Sequence, residues 1–263
     1  MSLVFGAVCP HPPILIPTIG KENLKKIKKT KLAMEQLAED LYFSNPETVL
    51  VISPHAQIMP ENFVINHSPL LRGDFKDFGD LETRLEFKND LGLGYQIRES
   101  LETKIPLILT TEEELDHGCL VPLYYLSQKN KNFSVIPVSY SLLDWETHFQ
   151  FGQAIRKILN KTNKKVAVIA SGDLSHRLTK DSPAGYSPTG SAFDKKLVGL
   201  IAEKKIKDIL NFDRNFVEQA GECGFRSILI LLGILDNLNY KPKILSYQGP
   251  FGVGYLVANF EVR

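Results

Sequence analysis

Four of the six histidines in this chain stand where an apolar run gives way to turn-forming residues. They occur in Cys-Pro-His-Pro-Pro (His11), Ser-Pro-His-Ala (His55), Asp-His-Gly (His117) and Gly-Asp-Leu-Ser-His (His176). Further on, Ala-Gly-Glu-Cys-Gly supplies Glu222 and Cys223 just ahead of a long apolar helical run. Imidazoles delivered at the tips of buried strands are the usual way in which open α/β sheets assemble sites. Two imidazoles and one carboxylate form the facial triad of non-haem Fe(II), and His11, His55 and Glu222 supply that set by residue type. The prolines flanking His11 stiffen its loop, and Pro54 forces Ser53 into an extended conformation. Both rings are thereby pre-positioned, as a metal that is selected by geometry requires.

Glu222 has a second explanation, because a helix N-terminus favours any acidic residue. The same dipole would keep the carboxylate ionised, as a ligand must be. Cys223 is a rival ligand whose thiolate suits a softer ion such as zinc. Adjacent residues at a helix start point in different directions, so only one of the two is expected to reach the ion. His117 and His176 are better suited to acid–base work than to ligation, since an imidazole near its ordinary pKa takes and returns a proton at neutral pH. Asp116 and Asp173 beside them are either participants or ordinary cap and loop residues. His67 and His148 lack comparable surroundings and read as structural or surface residues.

The elements that must position these groups alternate between β-branched runs and helical spacing, the signature of an α/β layered fold. Strands are expected at Leu3 to Val8, Thr48 to Ser53, Phe63 to Asn66, Thr83 to Phe87, Ile105 to Leu109, Ser134 to Val138 and Lys165 to Ser171. Two more, at Lys243 to Tyr247 and Val253 to Glu261, close the chain. Helices are expected at Asn23 to Phe43, Asp90 to Leu101, Val121 to Gln128 and Asp144 to Leu159. Four more follow, from about Gly190 to Glu203, Ile206 to Leu210, Asp213 to Ala220 and Gly224 to Leu235. Pro122 would then fall in a first helical turn, where a missing N–H costs nothing. The stretch Gly172 to Gly190 is long, turn-rich and without periodicity, which marks a functional or disordered loop. With no repeat and no linker, residues 1–263 read as a single domain.

Composition narrows the partners. A net charge of +1 over 263 residues removes the electrostatic case for nucleic acid or an anionic membrane. Lys25, Lys26, Lys28, Lys29 and Lys31 cluster on a helical segment and read as its solvated face. Three cysteines without a Cys-x-x-Cys argue against a disulfide framework or a zinc knot and fit a reducing compartment. The apolar start, Leu3 to Val8, lacks a basic leader and reads as a buried strand rather than a signal peptide. No run reaches the length of a membrane span. The expectation is a soluble cytoplasmic protein.

The stretches CPHPP, VLVISPHAQ, LDHG, ASGDLSH and ECGFRSILILLG together resemble the class III extradiol ring-cleavage dioxygenases, the catalytic B-subunit superfamily typified by protocatechuate 4,5-dioxygenase. They occur in that family's order and run across nearly the whole chain. The resemblance implies a single layered α/β domain with a central mixed sheet flanked by helices. It also implies Fe(II) held by His11, His55 and Glu222, with zinc as the alternative ion, His176 as the catalytic acid–base and His117 as a second pocket histidine. The implied substrates are a small catechol- or aminophenol-like aromatic and O2, and the assembly is either homomeric or completed by a second subunit. The CPHPP, GDLSH and ECG segments look closer still to members associated with AMMECR1-type domains and to the Memo branch. That branch carries cysteine where a carboxylate is expected and is associated with peptide binding. Cys223 beside Glu222 sets this sequence between the two patterns. Only Arg177 and Lys180 stand near the motifs as partners for a substrate carboxylate.

Overall fold

In the computed structural model, which describes residues 2–262, the alternation closes into one eight-stranded mixed sheet. In chain order the elements are β1 (Leu3–Cys9), α1 (Pro17–Gly20), α2 (Lys28–Ser44), β2 (Thr48–Ser53), β3 (Phe63–Asn66), β4 (Leu70–Phe75) and β5 (Asp80–Lys88). Then come α3 (Leu91–Leu101), β6 (Leu107–Thr110), α4 (His117–Leu126), β7 (Ser134–Ser139), α5 (Trp145–Leu159) and β8 (Val166–Ser171). The chain ends with α6 (Pro188–Ala202), α7 (Ile206–Leu210), α8 (Arg214–Ala220), α9 (Phe225–Leu235), β9 (Tyr240–Gln248) and β10 (Tyr255–Val262).

The strand order is β6-β3-β7-β2-β8-β1-β10-β9. The four central strands β7, β2, β8 and β1 run parallel to one another, while β10 and β9 pair antiparallel at one end. Near-continuous apolar strands of this kind must be covered on both faces, and they are. Leu50 and Ile52 of β2 and Val168 and Ala170 of β8 face a core shared with α3, α5 and α6 to α9. Val49, Val51, Ala167 and Ile169 face a second core under α2, α4 and the β4–β5 ribbon. Because side chains alternate along a strand, Ser53 and Ser171 extend that second face at the carboxyl ends of β2 and β8.

Three differences from the sequence reading bear on the site. Helix α4 begins at His117, four residues before the expected start, because the Asp116 side chain caps it by accepting from the Cys119 N–H. Pro122 is therefore inside the helix and leaves the Gly118 carbonyl without its intrahelical donor. The strand β4, broken in sequence by Arg72-Gly73-Asp74, was not anticipated; a Cβ on Gly73 would lie 2.5 Å from Leu120, so the glycine lets the ribbon lie against α4. The loop after β8 is pinned, not free. His176 N–H donates to Gly221 O, Leu174 N–H to Gly254 O and Leu178 N–H to Gly252 O. The lysines at 25, 26, 28 and 29 are exposed, as a solvated face requires. Among the described residues, no helix is long and apolar enough to cross a membrane.

Candidate functional site

His11, His55 and Cys223 converge at the carboxyl ends of the central parallel strands, their ligand-type atoms all within 4.8 Å of one another. His11 follows β1 and is buried; its Nε2 lies 3.0 Å from His55 Nε2 and 3.6 Å from Cys223 Sγ. A hydrogen-bond chain sets the His11 tautomer. The Gly118 carbonyl that Pro122 leaves unpaired accepts from Ser171 Oγ at 2.5 Å. Having donated its only proton, Ser171 Oγ accepts from His11 Nδ1–H at 2.9 Å. His11 Nε2 is consequently a bare lone pair pointing at the other two groups, the state a ligating imidazole needs.

His55 is held from behind. Ser53 Oγ donates to the Asp116 carboxylate at 2.5 Å and accepts from the His55 N–H at 3.2 Å. The His117 ring stacks on His55 with centroids 4.3 Å apart, and Phe78 packs edge-on against His117 at 5.3 Å. Burial first, then mutual repulsion with His55, His117 and His176, holds the His11 pKa well below its ordinary value. Burial also depresses His55, His117 and His176, and Asp116 partly opposes this at His55 and His117. All four rings are thus neutral at pH 7, as ligands or proton acceptors must be. Within the described residues, His176 Nδ1 is buried without a hydrogen-bond partner.

The structure brings four of the five sequence-derived site residues together, and Cys223 takes the place expected for Glu222. The Glu222 carboxylate turns to the start of α9, where it accepts from the Phe225 N–H at 2.5 Å, and it lines a separate cavity with Arg226. Burial pushes its pKa up to about 7, partly offset by that hydrogen bond and by Arg226, so the helix start does not keep it firmly ionised. Cys223 is aimed inward by a backbone crossing. Cys223 N–H and Gly224 N–H both donate to Asp173 O, and Asp173 N–H donates to Cys223 Sγ at 3.3 Å. A Cβ on Gly172 would stand 2.1 Å from Gly224 Cα, so two glycines are needed where β8 meets α9. Burial, then Asp173 and Glu222, raises the Cys223 thiol pKa well above the ordinary value.

Asp116 proves to be both a helix cap and the group that orients Ser53. Asp173 is buried, accepts from the His11 N–H at 3.0 Å and is pushed by burial up to about 7. Ser171 and Ser53 escaped the sequence reading; only their places as last residues of buried strands marked them. His148 and His67 are structural, their rings meeting the carbonyls of Asp144, Ser141 and Leu91. Ser171→Ala keeps the fold but removes the acceptor of His11 Nδ1–H; a loss of about 10–100-fold in metal affinity is expected, read by chelator competition.

A cavity of about 500 Å³ opens beside this cluster, and His55 and His117 are among its lining residues. Arg177 and Lys180 do not line it.

A parallel-centred α/β sheet carrying two imidazoles at its strand tips, with a thiol from the turn before α9 beside them and a cavity of about 500 Å³ next to them, defines the class of protein. The chain belongs to the family described as the catalytic LigB subunit of aromatic ring-opening dioxygenase, whose model matches residues 6–258. It is 35% identical to Protein CA_C1420 of Clostridium acetobutylicum over 99% of this chain and 58% of that protein. It is 30% identical to the 3,4-dihydroxyphenylacetate 2,3-dioxygenase of Escherichia coli over 51% of each. To a MEMO1 family protein of Methanococcus maripaludis it is 25% identical, over 66% of this chain and 57% of that one. The chain thus spans between about half and three-fifths of the length of these relatives. The fold is shared with an uncharacterised Escherichia coli K12 protein, JW3007, at TM-score 0.70 and 16% identity over 97% of this chain and 99% of that one.

Proposed function

We propose that this protein is an Fe(II)-dependent extradiol-type dioxygenase that opens the ring of a catechol- or aminophenol-like aromatic, with His11, His55 and Cys223 holding the ion. The observation that supports this reading most directly is the convergence of two neutral imidazoles and a thiol, one imidazole with its tautomer set by Ser171, beside a cavity that His55 also lines. The bound ion would supply a Lewis-acidic template that holds substrate oxygens and O2 side by side and passes charge between them.

The remaining steps fall to the chain itself. His176 stands with the His11 and His55 rings and not on the cavity wall; neutral at pH 7 and with an unpartnered buried Nδ1, it accepts the proton of a substrate hydroxyl that reaches the ion. His117, stacked on His55 at the cavity wall, donates a hydrogen bond to oxygen as negative charge develops there. Phe78 packs against His117 and forms part of the cavity wall beside it.

Cys223 favours a second reading, in which the same three residues hold a softer ion such as zinc and the domain is a Memo-like binding module. Anaerobic loading with Fe(II), followed by oxygen uptake with a panel of catechols and aminophenols, separates the two. Uptake that is lost in His176→Ala with metal retained supports the oxygenase. No uptake with any of them, with zinc as the ion in native protein, supports the module.

Either reading gives a definite pH dependence. The metal-free Cys223 thiol keeps its proton at neutral pH, and a ligating thiolate cannot. The neutral histidines release nothing, so binding at pH 7.5 liberates about one proton per ion, and affinity rises about tenfold per pH unit. Calorimetry in buffers of differing ionisation enthalpy measures that proton, and Cys223→Ala abolishes it.

A further inference from the structure

We infer that the cavity beside His55 and His117 selects an aromatic whose side chain carries an ammonium group, with Asp77 and Glu112 as the residues that read its charge. This rests on the reading above that the cavity is where the organic substrate binds, and it names the class of that substrate. The site itself is defined by the cavity and the imidazoles that line it; the carboxylates determine only which tail fits.

The cavity is lined by the two stacked rings of His55 and His117, and its walls include Val64, Phe78, Leu115 and Pro137. Those surfaces suit a flat aromatic ring. The charged lining is acidic: Asp74, Asp77, Glu112 and Glu114 line the cavity beside neutral Gln57, Asn66, Thr110 and Ser139, and among the described residues no lysine or arginine does. Lys76 lies 3.9 Å from Asp74 and 3.6 Å from Glu114 and offsets part of that charge. Asp77 and Glu112 have no ion-pair partner among the described residues. The carboxylate of Asp116 is already engaged with Ser53 and the Cys119 N–H.

A substrate that placed its own carboxylate beside Asp77 and Glu112 would meet like charge that no ion pair among the described residues offsets, which is discrimination by repulsion. An ammonium tail meets the two unpaired carboxylates instead. The basic residues near the sequence motifs offer no rescue for an acid. Arg177 packs against Gly221, away from the cavity, and Lys180 is exposed elsewhere.

The test uses the full chain, metal-loaded under anaerobic conditions, and two matched pairs of probes. Dopamine is compared with 3-(3,4-dihydroxyphenyl)propionate, and phenethylamine with 3-phenylpropionate, by equilibrium binding at two salt concentrations. Each amine is expected to bind about tenfold more tightly than its acid at low salt, with the gap narrowing as salt screens it. The exposed pair Asp77→Asn and Glu112→Gln, made together, should bring amine and acid to near parity without loss of bound metal. Equal or tighter binding of the acids overturns the inference, as does a preference that survives the double substitution or no detectable binding of either amine. The phenyl pair has no catechol, so it reports charge selection even if oxygen uptake shows that no ring is opened. Conversely, ring opening of catechols without amine preference would leave the oxygenase standing and remove only this inference.

Discussion

Cys223→Ala lowers the affinity of this protein for Zn(II) or Fe(II) by more than about 100-fold, because it deletes a ligand outright rather than a group behind one. Glu222→Ala leaves metal affinity within a few-fold of the parent. The contrast follows from where the two side chains go. Cys223 Sγ is 3.6 Å from His11 Nε2, whereas the Glu222 carboxylate is occupied with the Phe225 N–H at the head of α9. What Glu222→Ala does cost is a helix-end hydrogen bond, about 1 kcal/mol. Chelator competition with each variant, together with thermal melts of the metal-free proteins, reads both effects. If Glu222→Ala emptied the site while Cys223→Ala kept its ion, the carboxylate would be the ligand and the assignment made from the geometry would be wrong.

Gly172→Ala is expected to be the most damaging small substitution near the site. Its Cβ would stand 2.1 Å from Gly224 Cα, and neither partner is a flexible side chain that can swing away. Backbone must move, and overpacking of that kind costs about 3 kcal/mol, which for a chain of this size is a fall in Tm of roughly 6–12 °C. The movement also separates Asp173 from the two N–H donors at Cys223 and Gly224, so metal affinity falls along with stability. Gly199→Ala is the matching control. It lies in α6 with nothing within 4 Å of a new Cβ, and a helical alanine should stabilise by about 0.4–1 kcal/mol. A Gly172→Ala protein that melts and binds metal like the parent would show that the β8–α9 crossing does not aim Cys223.

Both predictions arise at places where local reading of the sequence stopped short. Periodicity identified most elements of the sheet, because central strands covered on both faces are apolar nearly throughout, as Thr48–Ser53 and Val166–Ser171 are between their ends. Histidines set in Pro- and Gly-rich turns after such strands were legible for the same reason: rigid, strand-tip imidazoles have few other uses. β4 was not legible, since Gly73 and its charged neighbours interrupt the alternation and their reason, contact with Leu120, lies far away in sequence. The start of α4 was missed because Pro122 was taken as a mark of a first turn. It is an interior residue whose missing N–H leaves the Gly118 carbonyl for Ser171.

By itself, then, the sequence determined which strands are buried, which loops are stiff and that His11, His55, His117 and His176 stand at strand or helix ends. Those properties depend on side-chain type and spacing within a few residues. Tertiary structure alone decided whether Glu222 or Cys223 turns inward. Two consecutive residues differ in direction by the geometry of one turn, and that turn is set by the contact of Gly172 with Gly224, 52 positions apart in the chain. The charge of the cavity was likewise invisible in one dimension. It is assembled from the β4–β5 ribbon and the segment before α4, acidic residues that look like ordinary solvated loop until the ribbon folds over the imidazoles.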